Sequence, residues 1–261
     1  MSVLAVDHFA TLFDEQFTHT NTTRLQRARV WEYVQGILPS DPDHSCRILE
    51  LNCNTGEDAL YFTRLGHEVI ATDISGSMLR VAQKKAEASK FPEKPEFRLS
   101  KLNKLGKDAS SQRFDLVFSN FGGLNYFSPE EIQLLCTRMS EMLKPDGRMV
   151  FVLKNKKGIW DHLSSGGVGS KDKHPLAQAA EHSGKQLWYY KPDEIIRLFA
   201  LCFDKVHQQA IGLTLPPVHQ EEKMGGKRRL LNRLKRWENK LGQLPSLASI
   251  GDHYLIDLKR R

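Results

Sequence analysis

Residues 47–56, RILELNCNTG, and residues 68–73, EVIATD, decide how this chain folds. The first stretch reads as an apolar strand with Glu50 near its end, a tight loop of small polar residues, and a helix opening at Gly56. The second is another apolar strand, and it ends in an acid, Asp73, 17 residues after Gly56. An open parallel sheet holds a nucleoside-containing ligand in this order: the loop after the first strand lets backbone approach closely, and the acid at the tip of the second strand meets the ribose hydroxyls.

The loop narrows the ligand. A dinucleotide site uses G-x-G-x-x-G, so that bare backbone and a helix N-terminus can face a pyrophosphate. Here the loop is Asn52-Cys53-Asn54-Thr55-Gly56, and Glu50 stands two residues before it. Its charge repels a phosphate and suits a cationic or zwitterionic ligand. Asn is the non-glycine residue that best tolerates left-handed backbone angles, so Asn52 and Asn54 can hold the turn.

With these residues in place, the segment resembles the class I S-adenosylmethionine-dependent methyltransferase family, whose first motif runs E/D-x-G-x-G-x-G. Residues 50–56 match that frame with Asn in place of the first two glycines. The resemblance covers residues 47–152 with specific motifs and residues 193–261 more loosely. It implies S-adenosylmethionine as cofactor, with a sulfonium, an ammonium and a ribose but no phosphate. The implied contacts are Glu50, Asn52, Cys53, Asn54 and Gly56 around the loop, Asp73 on the ribose, and Ile74 and Met78 against the adenine. Leu102 and Asn103 fall where the family often has an Asp for the adenine amine. In SNFGGLNYF, residues 119–127, backbone groups of Asn120 or Phe121 are implied to face the methionine end, with Asn125 and Tyr126 toward the acceptor. Tyr126 is equally readable as a pocket-edge aromatic. No N/D-P-P-Y/F and no Pro-Cys follow the fourth strand, which disfavours adenine-N6, glutamine and cytosine-C5 methylation.

Around that unit, apolar strands and amphipathic helices alternate, which predicts a doubly wound, mostly parallel α/β sheet. The strands are RILELN, EVIATD, PEFRLS, FDLVFSN, RMVFVLK and DKVHQQAIGL, with DHYLIDLKR last, seven in all; LWYY, residues 187–190, reads as a short extra strand. The family likeness implies that the last strand runs antiparallel beside the sixth. Ser75 or Ser77 is expected to cap the second core helix, and Ser128-Pro129-Glu130-Glu131 opens another.

Three additions surround the core. An N-terminal helical lid, residues 1–40, precedes the binding core at 41–154. Phe9, Leu12, Phe13 and Phe17 share helical spacing there, and the polar turn after them carries His19. A neutral imidazole can take a proton from an attacking hydroxyl or amine, so His19 is a candidate general base, or else an ordinary surface-turn histidine. Residues 155–190 form an insertion rich in Gly, Ser and Lys, flanked by Trp160, His162 and Trp188. Residues 191–261 complete the sheet and include a basic cap helix at 223–241. Residues 223–240 carry eight Lys/Arg against one Glu, and their net charge equals the +7 of the whole chain. Such a helix either packs as a cap with a solvated face, or meets an anionic membrane surface or nucleic acid.

A chain of 261 residues with 40% hydrophobic content can bury one substantial core. It has no apolar run long enough to span a bilayer and no basic start with a signal-type apolar core. The four cysteines are scattered without C-x-x-C, so neither a disulfide framework nor a structural metal is expected, and the chain reads as cytoplasmic. The expected activity is O- or N-methylation of a small-molecule acceptor. An RNA- or protein-directed methyltransferase using the basic helix, and a cofactor-binding protein without turnover, are the alternatives.

Overall fold

The structure, a computed structural model, describes residues 10, 12–39, 41, 44–100, 113–164 and 186–261. Leu102 and Asn103 lie outside the described residues, as do Phe9 and the centre of the insertion. Seven strands form one sheet: β1 (Arg47–Leu51), β2 (Glu68–Asp73), β3 (Glu96–Leu99), β4 (Phe114–Ser119), β5 (Leu143–Lys154), β6 (Phe203–Ile211) and β7 (His253–Arg260). Their order is β3-β2-β1-β4-β5-β7-β6. The first five are parallel, and β7 inserts antiparallel between β5 and β6. This is the expected doubly wound sheet.

Alternation along each strand feeds two cores. Leu49, Val117, Phe151 and Tyr254 pack on one face under α4 (Pro129–Met142) and α6 (Pro192–Phe199). Ile48, Phe118, Val150 and Leu255 pack on the other with Val30 and Val34 of α1 (Asn21–Ile37), Phe62 of α2 (Glu57–Arg64) and Leu79 of α3 (Gly76–Ala88). A sheet covered on both faces needs apolar residues at successive positions, which is why β1, β2 and β5 read as continuous apolar runs. Ser75, not Ser77, caps α3 by accepting from Met78 N, and Ser128 and Glu131 close a full capping box on α4.

Two expectations need correction. Leu187–Tyr190 is not a strand: its polar backbone turns instead to Asn125, with Trp188 N on Asn125 O at 2.8 Å and Asn125 Nδ2 on Trp188 O at 2.7 Å. The pattern RLQRARVWEYVQGIL, residues 24–38, predicts a helix from Arg24, but the helix begins earlier, at Asn21, because Thr20 caps it and the Glu221 carboxylate accepts from Asn21 N and Thr22 N, each at 3.0 Å. The insertion opens with a short helix, α5 (Ile159–Ser164), which carries Trp160 and His162. After β6 come α7 (Glu221–Met224) and α8 (Arg228–Leu241).

Candidate functional site

The carboxyl ends of β1, β2 and β4 meet at one edge of the sheet, where open parallel sheets bind ligands. The loop after β1 turns on three left-handed residues: Asn52 at φ 56°, Asn54 at φ 50° and Gly56 at φ 80°. Cys53 N donates to Thr72 O at 3.0 Å, and Asn54 Nδ2 to Asn52 O at 3.0 Å, which pins the loop to β2 and to itself. Asn52 fills space that a glycine leaves open, and the chain opposite recedes to match. A Cβ on Gly123 would stand 2.6 Å from the Asn52 Cβ, so only glycine fits there without a shift.

Asp73 ends β2 with its side chain turned back on the loop. One carboxylate oxygen accepts from Asn54 N and the other from Ser75 N, each at 2.9 Å. Ile74 stands exposed beside it, while Met78 is buried. Glu50 is buried below the loop, and burial followed by the charge of Asp58 pushes its pKa well above the usual carboxylate range against the pull of Arg27. Its Oε2, like Asn52 Oδ1 and Thr18 Oγ1, is buried with no hydrogen-bond partner among the described residues. Cys53 is a buried thiol whose pKa is raised by burial and then by Glu50 and Asp73, so it is no thiolate nucleophile.

Asp58, in the first turn of α2, gathers three donors from two other segments, α1 and the turn after β4. Arg27 Nη1 donates to it at 2.5 Å, Trp31 Nε1 at 2.6 Å, and Asn120 Nδ2 at 3.2 Å. Asn120 Oδ1 in turn accepts from Phe121 N at 2.9 Å and holds that residue at φ 49°. The Phe121 ring lies under the Arg27 guanidinium at 4.8 Å, with Phe17 and His253 packed edge-on at 5.2 and 5.5 Å. His253 Nδ1 lies 3.0 Å from Asp252, burial lowers the pKa of that imidazole, and Asp252 also meets the buried Lys154 ammonium at the end of β5. Sequence reasoning missed Arg27, Trp31, Asp58, Lys154, Asp252 and His253, because each is defined by a partner distant in sequence.

The described part of the N-terminal segment, ending in a π-helical turn at Asp14–Thr18, sits against the loop. Asp14 accepts from Thr55 Oγ1 at 2.6 Å and from Lys85 Nζ at 2.7 Å. His19 is half-exposed, with Nε2 3.4 Å from Asp14 and Nδ1 3.5 Å from Arg24. Ligand atoms of Asp14, His19 and Glu57 lie within 4.8 Å of one another, but the Lys85 ammonium already binds both carboxylates and supplies the positive charge there. Tyr126 is half-buried, and burial, then the charge of Asp73, raises its pKa, so it stays a neutral phenol at physiological pH. A separate cleft of about 300 Å³, lined by His67, Glu68 and Glu96 among others, lies at the amino ends of β2 and β3, the wrong end of the sheet for this chemistry.

Residues 48–147 match a family model described as a methyltransferase domain. A protein of Geobacillus sp. (strain WCH70) assigned as a methyltransferase is 37% identical over 106 residues, 40% of this chain and 41% of its own length. The tRNA 5-carboxymethoxyuridine methyltransferase of Escherichia coli (strain K12) is 24% identical over 159 residues, 60% of this chain and 58% of that protein. The chain thus spans about two to three fifths of the length of these curated relatives. Among solved structures, geranyl diphosphate C-methyltransferase from Streptomyces coelicolor A3(2) aligns with a TM-score of 0.60 at 14% identity, covering 91% of this chain and 81% of that one. That likeness establishes the shared fold.

Proposed function

We propose, on the premise that residues 48–147 belong to the methyltransferase-domain family, that this chain transfers a methyl group from S-adenosylmethionine to an oxygen or nitrogen of a small-molecule acceptor. The observation that carries this reading is the loop of left-handed Asn52, Asn54 and Gly56 lying between a buried acid with an orphaned oxygen, Glu50, and the acid that ends β2, Asp73. A ligand with cationic groups, vicinal hydroxyls and no phosphate fits these residues. Glu50 Oε2 lacks a partner that an ammonium would supply, and Asp73, at the tip of β2, is the carboxylate placed to accept from ribose hydroxyls. The structural neighbour from S. coelicolor, a C-methyltransferase, was solved with S-adenosyl-L-homocysteine and geranyl diphosphate, which favours the same cofactor and a small-molecule acceptor here.

When bound, S-adenosylmethionine would supply an electrophilic methyl group carried on a sulfonium. The residues of the chain do the rest. Asp73 and the Asn54 turn orient the ribose, and Phe121, clamped by Phe17 and Arg27, walls the methionine end from water. Asp58 fixes that wall by holding Arg27 and Asn120 together. Tyr126, kept protonated, donates a hydrogen bond to the acceptor. His19 accepts the proton released by the acceptor, and Asp14 at 3.4 Å stabilises the resulting imidazolium.

Calorimetric titration with S-adenosylmethionine and, in parallel, with NAD tests the cofactor. Binding of the first alone is expected, and no binding of S-adenosylmethionine would overturn the proposal. Methyl transfer is then followed on a panel of phenols, carboxylates and amines, with tRNA as the macromolecular control. Transfer to tRNA alone would replace the small-molecule acceptor with the substrate class of the E. coli relative.

A further inference from the structure

Helix α8 is fixed to the body by an unusual anchor. Its one acid, Glu238, is fully buried and accepts from the backbone N–H groups of Gly212 (2.8 Å), Leu213 (3.2 Å), Thr214 (2.7 Å) and Leu215 (3.2 Å). The Thr214 hydroxyl is a fifth donor, at 3.0 Å. Leu231 is buried on the same side of the helix. The acid is therefore consumed internally, and it holds the helix rigidly in place.

The opposite side carries Arg229, Arg233, Arg236 and Lys240, at i, i+4, i+7 and i+11, one stripe of roughly 16 Å along the helix. All four are exposed, and among the described residues none forms an ion pair. Between the stripe and the buried side runs an apolar ridge. Half-buried Leu234 and Leu241 lead outward to Leu230 and Trp237, seven residues apart and 38% and 57% exposed, and Leu244 follows in the turn after the helix, 47% exposed.

We propose that this face of α8 docks on the surface of an anionic lipid bilayer. The guanidinium groups suit phosphate in lipid or nucleic acid alike, but the ridge discriminates between them. Exposed leucines beside a tryptophan gain from entering the headgroup–acyl boundary, where Trp is favoured, whereas a nucleic-acid strand gives leucine nothing to bury against. A basic row beside such a ridge is attracted to an anionic leaflet, and no spanning helix is needed. Docking would also orient the molecule. Glu221, seven residues before α8, holds the N-terminus of α1, and Asn21 Nδ2 holds Gly225 O at 3.0 Å, so the turn that carries His19 lies next to the docked element.

The test is co-sedimentation of the full chain with vesicles of phosphatidylcholine alone and of phosphatidylcholine with about one-third phosphatidylglycerol. It needs no cofactor, so its result is independent of whether methyl transfer is found. Partition onto the anionic vesicles should be about tenfold stronger or more. The triple variant Arg229→Glu, Arg233→Glu, Arg236→Glu should abolish it. The double variant Leu230→Ser, Trp237→Ser should weaken it about tenfold with the charge unchanged. Every altered side chain is exposed, so an unchanged thermal midpoint confirms folding. No partition onto anionic vesicles, or partition that survives charge reversal, overturns the proposal. So does indifference to the Leu230/Trp237 change combined with salt-dependent capture of a single-stranded RNA, which would assign the stripe to nucleic acid.

Discussion

Replacing Asp58 with Ala leaves the Arg27 guanidinium buried, its side chain only 9% exposed, without the carboxylate that stood 2.5 Å away. Removing one partner of a buried ion pair costs about 3–5 kcal/mol, because the remaining charge stays desolvated. The Trp31 and Asn120 donors lose the same acceptor, at about 1 kcal/mol each if water does not replace it. These terms overlap, and a total near 4 kcal/mol is expected for Asp58→Ala. The cause can be separated by a double-mutant cycle. Arg27→Met removes the charge but keeps most of the volume over Phe121, so the double variant should be more stable than Asp58→Ala alone, with a coupling of about 2 kcal/mol or more. Urea unfolding of the four proteins measures every term. A loss below about 1.5 kcal/mol in Asp58→Ala, or a cycle additive within about 0.5 kcal/mol, would refute the reasoning.

Three further outcomes are expected. Gly123→Ala should cost about 1–3 kcal/mol of stability by driving a Cβ into Asn52, and adding Asn52→Gly should recover most of it; a double variant no better than the single one would show that the clash is relieved elsewhere. Asp73→Ala should weaken S-adenosylmethionine binding by about 1–3 kcal/mol in calorimetry, and unchanged affinity would remove the ribose assignment. Folding raises the pKa of Glu50, so the folded chain keeps that proton to higher pH than the unfolded chain does. The stability linked to this group is full below the unfolded value near 4.5 and falls as pH rises toward the folded one. Glu50→Gln should thus match the parent in acid and exceed it increasingly above that pH; a stability gap that is constant across a urea-unfolding pH series would contradict this.

Much of the fold was legible because its signals are local. The apolar runs of β1, β2 and β5 mark a sheet covered on both faces, and Ser75 and Ser128 act as caps within four residues of their partners. The left-handed Asn52 and Asn54 were readable from side-chain chemistry alone. LWYY misled because its composition suits a strand while its backbone bonds to Asn125 and the Tyr254 hydroxyl rather than to a neighbouring strand. The clamp on Phe121 escaped notice for a different reason: Asp58 looks like a first-turn acid on any helix, and its partners Arg27 and Asn120 lie 31 and 62 residues away. Glu221 and Glu238 likewise look like solvated charges until the groups they receive, 199 and 23 residues away at Thr22 and Leu215, are brought to them by the fold. Distance along the chain hid these contacts, since periodicity reports only neighbours.

The insertion of β7 between β5 and β6 imposes an order of assembly. When β6 is synthesised it has no strand to join, because β5 pairs with β7 and not with β6. Until residues 253–260 arrive, β5 is an open edge whose MVFVL run offers unpaired amides and carbonyls to any neighbouring chain. The nascent protein is therefore most prone to self-association late in synthesis, after most of its core exists. A chain cut anywhere between residues 212 and 252 would retain the binding loop and lose the strand that closes the sheet.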